Sequence, residues 1–232
     1  MDMRPWVLVH GAGGGAWEWA VWQRVLAARG VAAHAVDLQP VRGGLAATTL
    51  DDYAAQVEAT VRAEQSPPVL VGASLGGLLA AMVAARCAVA ALVLVNPLPP
   101  APWHAGLAPG PASAAVIPWG STASLAGTRR ALADAMDATC EWAWRRWRDE
   151  SGAVVDAARA GVDVARPGCP VLVIASDADD DVPAAASAAL AQAWGASLWR
   201  LPGASHVGPL LGRGAASCAE QVTAWVASRP RS

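Results

Sequence analysis

Along this chain, short unbroken apolar runs alternate with segments whose apolar residues recur every three or four positions. The runs Trp6–Val9, Ala32–Val36, Val69–Val71, Ala91–Val95, Val171–Ala175 and Ser197–Leu201 predict strands, because side chains apolar at every position suit a strand covered on both faces. The segments Trp17–Arg29, Leu50–Glu64, Leu75–Arg86, Pro183–Trp194 and Ala215–Ala227 predict helices. In the last of these, Cys218, Val222, Trp225 and Val226 fall at i, i+4, i+7 and i+8, one face for packing. Strand and helix taking turns in this way predict an α/β fold, with about six mostly parallel strands flanked by helices.

One stretch departs from the alternation. From Pro97 to about Pro167 no strand-like run occurs; the stretch opens with Pro97, Pro99, Pro100, Pro102, Pro109, Pro111 and Pro118. Helical patterns then cover Leu125–Asp137, Thr139–Glu150 and Ala153–Ala160. About seventy residues is too long for an ordinary connection and predicts a helical cap inserted before the fifth strand of the sheet. The expected division is a core of residues 1–96 and 168–232 and a cap of residues 97–167.

Composition narrows the function classes. At 54% apolar and 16% charged residues, the 232-residue chain is able to build a substantial core and is not a disordered one. A net charge of −2 without a basic cluster argues against a nucleic-acid partner. All 17 cationic side chains are arginine, Phe is absent and Trp occurs 12 times, so Trp takes most aromatic packing roles and is weaker evidence of a ligand site than usual. Cys87, Cys140, Cys169 and Cys218 are far apart, with no C-x-x-C and no His at metal-ligand spacing, which predicts free thiols and a reducing cytoplasm. A strand beginning at Trp6 leaves no room for a signal peptide. Arg86 interrupts Leu78–Val95, which reads as helix, turn and strand, so no membrane span is expected. The expected protein is a cytoplasmic monomer or homodimer.

The candidate chemistry centres on Gly72-Ala73-Ser74-Leu75-Gly76, which is G-x-S-x-G between a buried run and a helix. A serine on so sharp a turn needs small residues two positions away on each side, and it stands exposed at a helix N-terminus. A serine nucleophile needs a base, an acid to orient that base, and donors for the oxyanion. Of the four histidines, His10 and His34 precede Ser74 and His104 opens the insertion. His206 alone follows the last strand, on a loop. The acid belongs just past Val171–Ala175, where Asp177, Asp179, Asp180 and Asp181 all qualify and some serve only to cap the next helix. After the first strand, His10-Gly11-Ala12-Gly13-Gly14-Gly15-Ala16 is a glycine-rich loop whose backbone N–H groups are able to face an oxyanion, and Ala12 and Leu75 are the expected donors. Gly11, Gly13 and Ala16, with Asp37 beyond, also meet the short dinucleotide pattern.

These residues resemble α/β-hydrolase-fold proteins from near Trp6 to the C-terminus. The matching pieces are Val9-His10-Gly11-Ala12 with Trp17 and Trp19, Asp37-Leu38, Thr49 to Tyr53, Gly72 to Gly77, and His206. Within that fold the chain looks most like the small esterases related to plant methylesterases and hydroxynitrile lyases. The resemblance implies a triad acid four residues before the proline of a Val-Pro helix start, which is Asp179, with Asp177 next in line. It also implies oxyanion donors at Ala12 and Leu75. Two departures stand out. Ala73 precedes the nucleophile where His or Gln is common, and the first two antiparallel strands of the fold are missing.

The expected activity is hydrolysis of carboxylic esters of a small, largely apolar molecule through Ser74, His206 and Asp179, with no metal or organic cofactor. Thioesterase, amidase and C–C hydrolase activities use the same triad, and a non-catalytic ligand binder on the same fold is the reading from another class. Lyase activity is disfavoured, because Gly11 and Val207 stand where the lyases carry Thr and Lys. Substrate choice is expected in the insertion, with Trp103, Trp119, Trp144 and Trp147 as candidate substrate-binding residues and Trp142 beside them. Arg145, Arg146 and Arg148 are expected to face solvent.

Overall fold

The computed structural model describes residues 4–108 and 110–229, so Pro109 of the proline-rich stretch lies outside them. Eight strands follow in chain order: β1 (Trp6–Val9), β2 (Ala33–Val36), β3 (Val69–Ala73), β4 (Ala91–Val95), β5 (Val116–Ile117), β6 (Glu150–Ser151), β7 (Val171–Ser176) and β8 (Ser197–Leu201). Six of them form one sheet in the order β2-β1-β3-β4-β7-β8, and every neighbouring pair is parallel. The chain runs outward from β1 to β2, returns to β3 on the other side of β1, and then proceeds in one direction. The strand order therefore reverses between β1 and β3, whose carboxyl ends open the crevice where ligands bind in such sheets.

Parallel pairing requires a crossover after each strand, and the helices provide it. They are α1 (Ala20–Ala28), α2 (Leu50–Ala63), α3 (Leu75–Ala84), α8 (Ala184–Trp194) and α10 (Ala215–Ala227) in the main body. The insertion carries α4 (Trp119–Thr122), α5 (Leu125–Ala131), α6 (Asp137–Trp144) and α7 (Gly152–Ala160), while the short α9 (Gly208–Leu211) follows His206. Alternation along the strands divides the core in two. Val7, Val9, Leu70 and Leu92 pack against α2, α3 and α8, whereas Trp6, Leu8, Val69 and Val93 pack against Trp22, Leu26, Trp225 and Val226 of α1 and α10. The four cysteines are free thiols. Among the described residues, no helix is long and apolar enough to cross a membrane.

The insertion differs from its sequence pattern in three ways. β5 and β6 form a small antiparallel pair, although no strand is expected between Pro97 and Pro167. Two-residue strands leave no periodicity to read. The helix expected at Leu125–Asp137 ends at Ala131, and the chain turns so that Asp134 accepts hydrogen bonds from the Ser205 N–H and hydroxyl. The helix expected at Thr139–Glu150 instead begins at Asp137 and ends at Trp144, leaving residues 148–150 free of it and against the loop after β1. In both places a tertiary contact overrides helix propensity.

Candidate active site

Ser74 sits between β3 and α3 with φ 52° and ψ −121°, a conformation L-residues avoid at a cost of about 1–3 kcal/mol. The turn is over-determined. The Ser74 N–H donates to the Val95 carbonyl at 3.0 Å, and its own carbonyl accepts from Gly77 and Leu98 at 2.9 Å each. Side chains two residues to either side would not fit: a Cβ on Gly72 would overlap the Gly76 carbonyl, and one on Gly76 would overlap the Val9 and His10 carbonyls. The spacing of small residues around Ser74 thus has a steric cause.

His206 lies on the loop after β8, with Nδ1 2.7 Å from Asp179 Oδ2. The other Asp179 oxygen accepts the Asp181 and Val182 N–H groups at 2.8 and 2.9 Å, and the carboxylate is fully shielded from solvent. Burial works against the imidazolium, but the hydrogen bond and charge of Asp179, aided by the charge of Asp181, outweigh it and hold the His206 pKa above its ordinary value. Asp177 points away into an ion pair with Arg200. Three elements anchor the His206 backbone: Asn96 Nδ2 donates to its carbonyl at 2.7 Å, the Val207 N–H donates to Ala131, and neighbouring Ser205 bonds Asp134. Asn96 is itself held by the Ser176 N–H.

The glycine loop after β1 has most of its N–H groups spoken for. Gly11 donates to Glu18 Oε2 at 3.2 Å, Gly13 to Glu150 Oε2 at 2.9 Å, Gly14 to the Gly11 carbonyl, and Ala16 to Asp37. The insertion tightens the loop further, since the Arg148 N–H donates to Gly13 and its guanidinium to the Gly14 carbonyl. Among the described residues, the Ala12 and Leu75 N–H groups have no acceptor. Both residues line one cavity of about 630 Å³ together with Ser74 and His206. The cavity therefore brings together a hydroxyl, an imidazole backed by a carboxylate, and two unspent backbone donors.

Of the tryptophans expected there, Trp119 and Trp147 line the cavity. Trp103 and Trp144 do not. Trp103 packs edge-on against Trp194 of α8, with ring centroids 6.2 Å apart, and Trp144 is 37% exposed with its indole N–H on the Ala123 carbonyl. Trp142 packs on Trp17. Arg145 and Arg146 are exposed, but Arg148 corrects the expectation of a solvent-facing side chain: it reaches Gly14, Leu38 and Asp37. His10 is buried with Nδ1–H on the Gly11 carbonyl and Nε2 accepting from the Leu38 N–H, and burial lowers its pKa to about 4. Neither His10, His34 nor His104 lines the cavity.

Four residues escaped the sequence reading: Asn96, Glu18, Arg148 and Glu150. An acid between two tryptophans at Glu18 is a signal that was available; the other three leave none. Glu150 is buried and also accepts from the Tyr53 hydroxyl at 2.9 Å. Among the described residues, one grouping offers possible metal ligands within 4.8 Å of one another, Asp179, Asp181 and His206. Asp179 is already engaged by the imidazole and two N–H groups, which fits an ion less well than a histidine.

Residues 6–221 match the model of the alpha/beta hydrolase family. The chain belongs to that family. Among curated proteins no match was found. Solved structures of this alpha/beta hydrolase's relatives share its fold. They include a pyrethroid hydrolase from Sphingobium faniae JZ-2, 21% identical with a TM-score of 0.75, covering 97% of this chain and 98% of the other. Polyneuridine aldehyde esterase is 18% identical with a TM-score of 0.74, covering 96% of this chain and all of its own. The methylesterase MES16 from Arabidopsis is 16% identical with a TM-score of 0.71, covering 96% and 98%. The six-stranded parallel sheet sets the Ser74 turn of this hydrolase beside the glycine loop.

Proposed function

We propose that this hydrolase is a serine esterase acting on carboxylic esters of a small, largely apolar molecule. The observation that carries the reading is the common cavity: Ser74, a His206–Asp179 pair, and the free N–H groups of Ala12 and Leu75 all border it. His206 Nε2 takes the Ser74 proton as Oγ attacks the ester carbonyl. The oxygen gains negative charge as the carbon becomes tetrahedral, and the Ala12 and Leu75 N–H groups receive it. Each such donor contributes about 3 kcal/mol to the transition state because it is already oriented. Asp179 keeps the proton of the imidazole ring on Nδ1 and stabilises the imidazolium. His206 then gives its proton to the departing alcohol, and a water deprotonated by the same ring releases the acid from Ser74.

The insertion, residues 97–167, serves as the cap in this reading. Trp119 and Trp147 provide flat apolar walls, which favour acyl chains of medium length or aromatic acids over sugars. The esterase names of two of the structural relatives agree with this choice of bond. A fluorophosphonate probe tests the reading: it labels the wild type and fails to label Ser74→Ala, whose ester hydrolysis falls by at least about a thousandfold. A folded wild type that neither reacts with the probe nor cleaves p-nitrophenyl or methyl esters of any chain length overturns it.

A further inference from the structure

Acyl transfer as described leaves Glu18 unused. It lines the same cavity and is 3% exposed, whereas Asp180 and Asp181 stand exposed at the rim. Its head group is cradled by the glycine loop: any Cβ on Gly14 would overlap Oε1. Oε2 accepts the Gly11 N–H, and among the described residues Oε1 has no hydrogen-bond partner. Among the described residues, no cation is hydrogen-bonded to the carboxyl. Arg148, the nearby guanidinium from the insertion, is hydrogen-bonded to Gly14, Leu38, Asp37 and His10, and His206, from the loop after β8, is paired with Asp179.

A carboxyl so buried and unpaired is held in its neutral form. Burial raises its pKa to about 8, against the smaller opposing effects of the Gly11 N–H, His206 and Arg148. The neutral group has one O–H. With Oε2 accepting from Gly11, that proton belongs on Oε1, the oxygen that has no hydrogen-bond partner among the described residues. The position relative to the chemistry is close, because Gly11 abuts the nucleophile: a Cβ there would lie 3.2 Å from Ser74 Cβ.

We propose that Glu18 is a specificity-determining residue whose carboxyl O–H donates to an acceptor oxygen carried by the substrate within a few bonds of the scissile carbonyl. Alkoxy esters are then preferred over alkyl esters of the same length and shape. This inference rests on the esterase reading of the same cavity and assigns its substrate class.

The test compares methyl methoxyacetate with methyl butanoate, which differ by an ether oxygen in place of a methylene. The ratio of their kcat/KM values is measured for wild type, Glu18→Leu and Glu18→Gln, and dividing the ratios between proteins cancels the intrinsic reactivity of the two esters. The wild-type ratio is expected to exceed that of Glu18→Leu by about three- to tenfold, the value of one net hydrogen bond. Glu18→Gln restores it, since the amide donates in the same place. As pH rises through about 8 the wild-type ratio falls, because the O–H is lost, while the Glu18→Gln ratio stays level. The pH dependence of wild type against Glu18→Gln stands alone if Glu18→Leu does not fold.

A Glu18→Leu enzyme that keeps the wild-type ratio overturns the assignment. So does a wild type whose ratio is level across this pH range, or one that prefers ammonium-bearing esters increasingly at high pH. In each of these cases Ser74 still reacts with the fluorophosphonate, and the esterase reading survives. A wild type that neither labels nor cleaves either ester overturns both.

Discussion

The Asn96 side-chain amide donates to the His206 carbonyl at 2.7 Å, tying the end of β4 to the loop that carries the imidazole. Asn96 also has φ 43°, a left-handed conformation that Asn tolerates better than most residues. Its two donors and one acceptor are all used, on His206, the Ser176 hydroxyl and the Ser176 N–H. Asn96→Ala is expected to lower stability by about 1–3 kcal/mol by stranding buried partners, and to lower kcat more than it raises KM. Asn96→Gly separates the causes in urea melts and steady-state kinetics. It relieves the backbone strain, so it recovers stability relative to Asn96→Ala but not kcat.

Asp179→Asn is expected to keep the N–H bonds from Asp181 and Val182 while removing the negative charge beside His206. The imidazole then loses both its orientation and the stabilisation of its charged form. We expect kcat to fall by about ten-thousandfold with the fold intact, read by ester hydrolysis and by thermal melting. Asp177→Asn is the matched control, since that carboxylate faces Arg200, and its kcat should stay near wild type.

The activity profile should show an acid limb set by His206, which must be neutral to accept the Ser74 proton. Because the folded-state pKa of His206 is raised, that limb lies above the ordinary histidine value. Asp181 contributes to the rise by its charge. Asp181→Asn should therefore move the limb of kcat/KM to lower pH, and an unmoved limb would show that this charge is not felt at the imidazole.

Acid stability should report His10. Burial depresses its pKa from 6.5 to about 4, so the folded protein holds fewer protons there than the unfolded chain. The contribution is full above pH 6.5 and is lost as pH falls toward 4, by roughly 3 kcal/mol in all. Urea unfolding of wild type and His10→Gln at a series of pH values measures this. The difference between them should narrow with acidification, as the variant lacks the titration.

Glu150 tests the brace on the glycine loop. Its carboxylate accepts from Gly13, Tyr53 and the Ser151 N–H at 2.9, 2.9 and 2.7 Å. Glu150→Ala should slow acylation by about ten- to a hundredfold through displacement of the Ala12 donor, as small misplacements do. Tyr53→Phe, which removes only the hydroxyl partner, should have a much smaller effect on the rate of fluorophosphonate labelling.

What the sequence revealed follows from how local each determinant is. The buried strands and Ala215–Ala227 were legible because their apolar periodicity is strong and the sheet imposes the same period. The surroundings of Ser74 were legible because a turn too tight for Cβ atoms leaves glycines at set spacing. Asp179 could be separated from Asp177 by resemblance, not by the residues themselves, since four acids crowd one loop and only the three-dimensional path of that loop turns one toward His206. Trp103 misled for the reason that composition warned of, since with Phe absent Trp fills packing sites, here against Trp194, whereas Trp144 stands exposed away from the cavity. Arg148, Glu150 and Asn96 act across more than a hundred residues of sequence, and nothing near them records the partner.

The contacts of Arg148 and Glu150 with the glycine loop, and of Asp134 with the loop of His206, change how the insertion should be regarded. If residues 97–167 are the cap proposed above, a covering held to both of these loops would not swing aside as a body without breaking those contacts. Traffic in and out of the cavity must then rely on movements of individual side chains at its mouth. Exchanging this segment for that of another hydrolase would transplant a new specificity only if the graft brought its own arginine and acids to grip the same two loops.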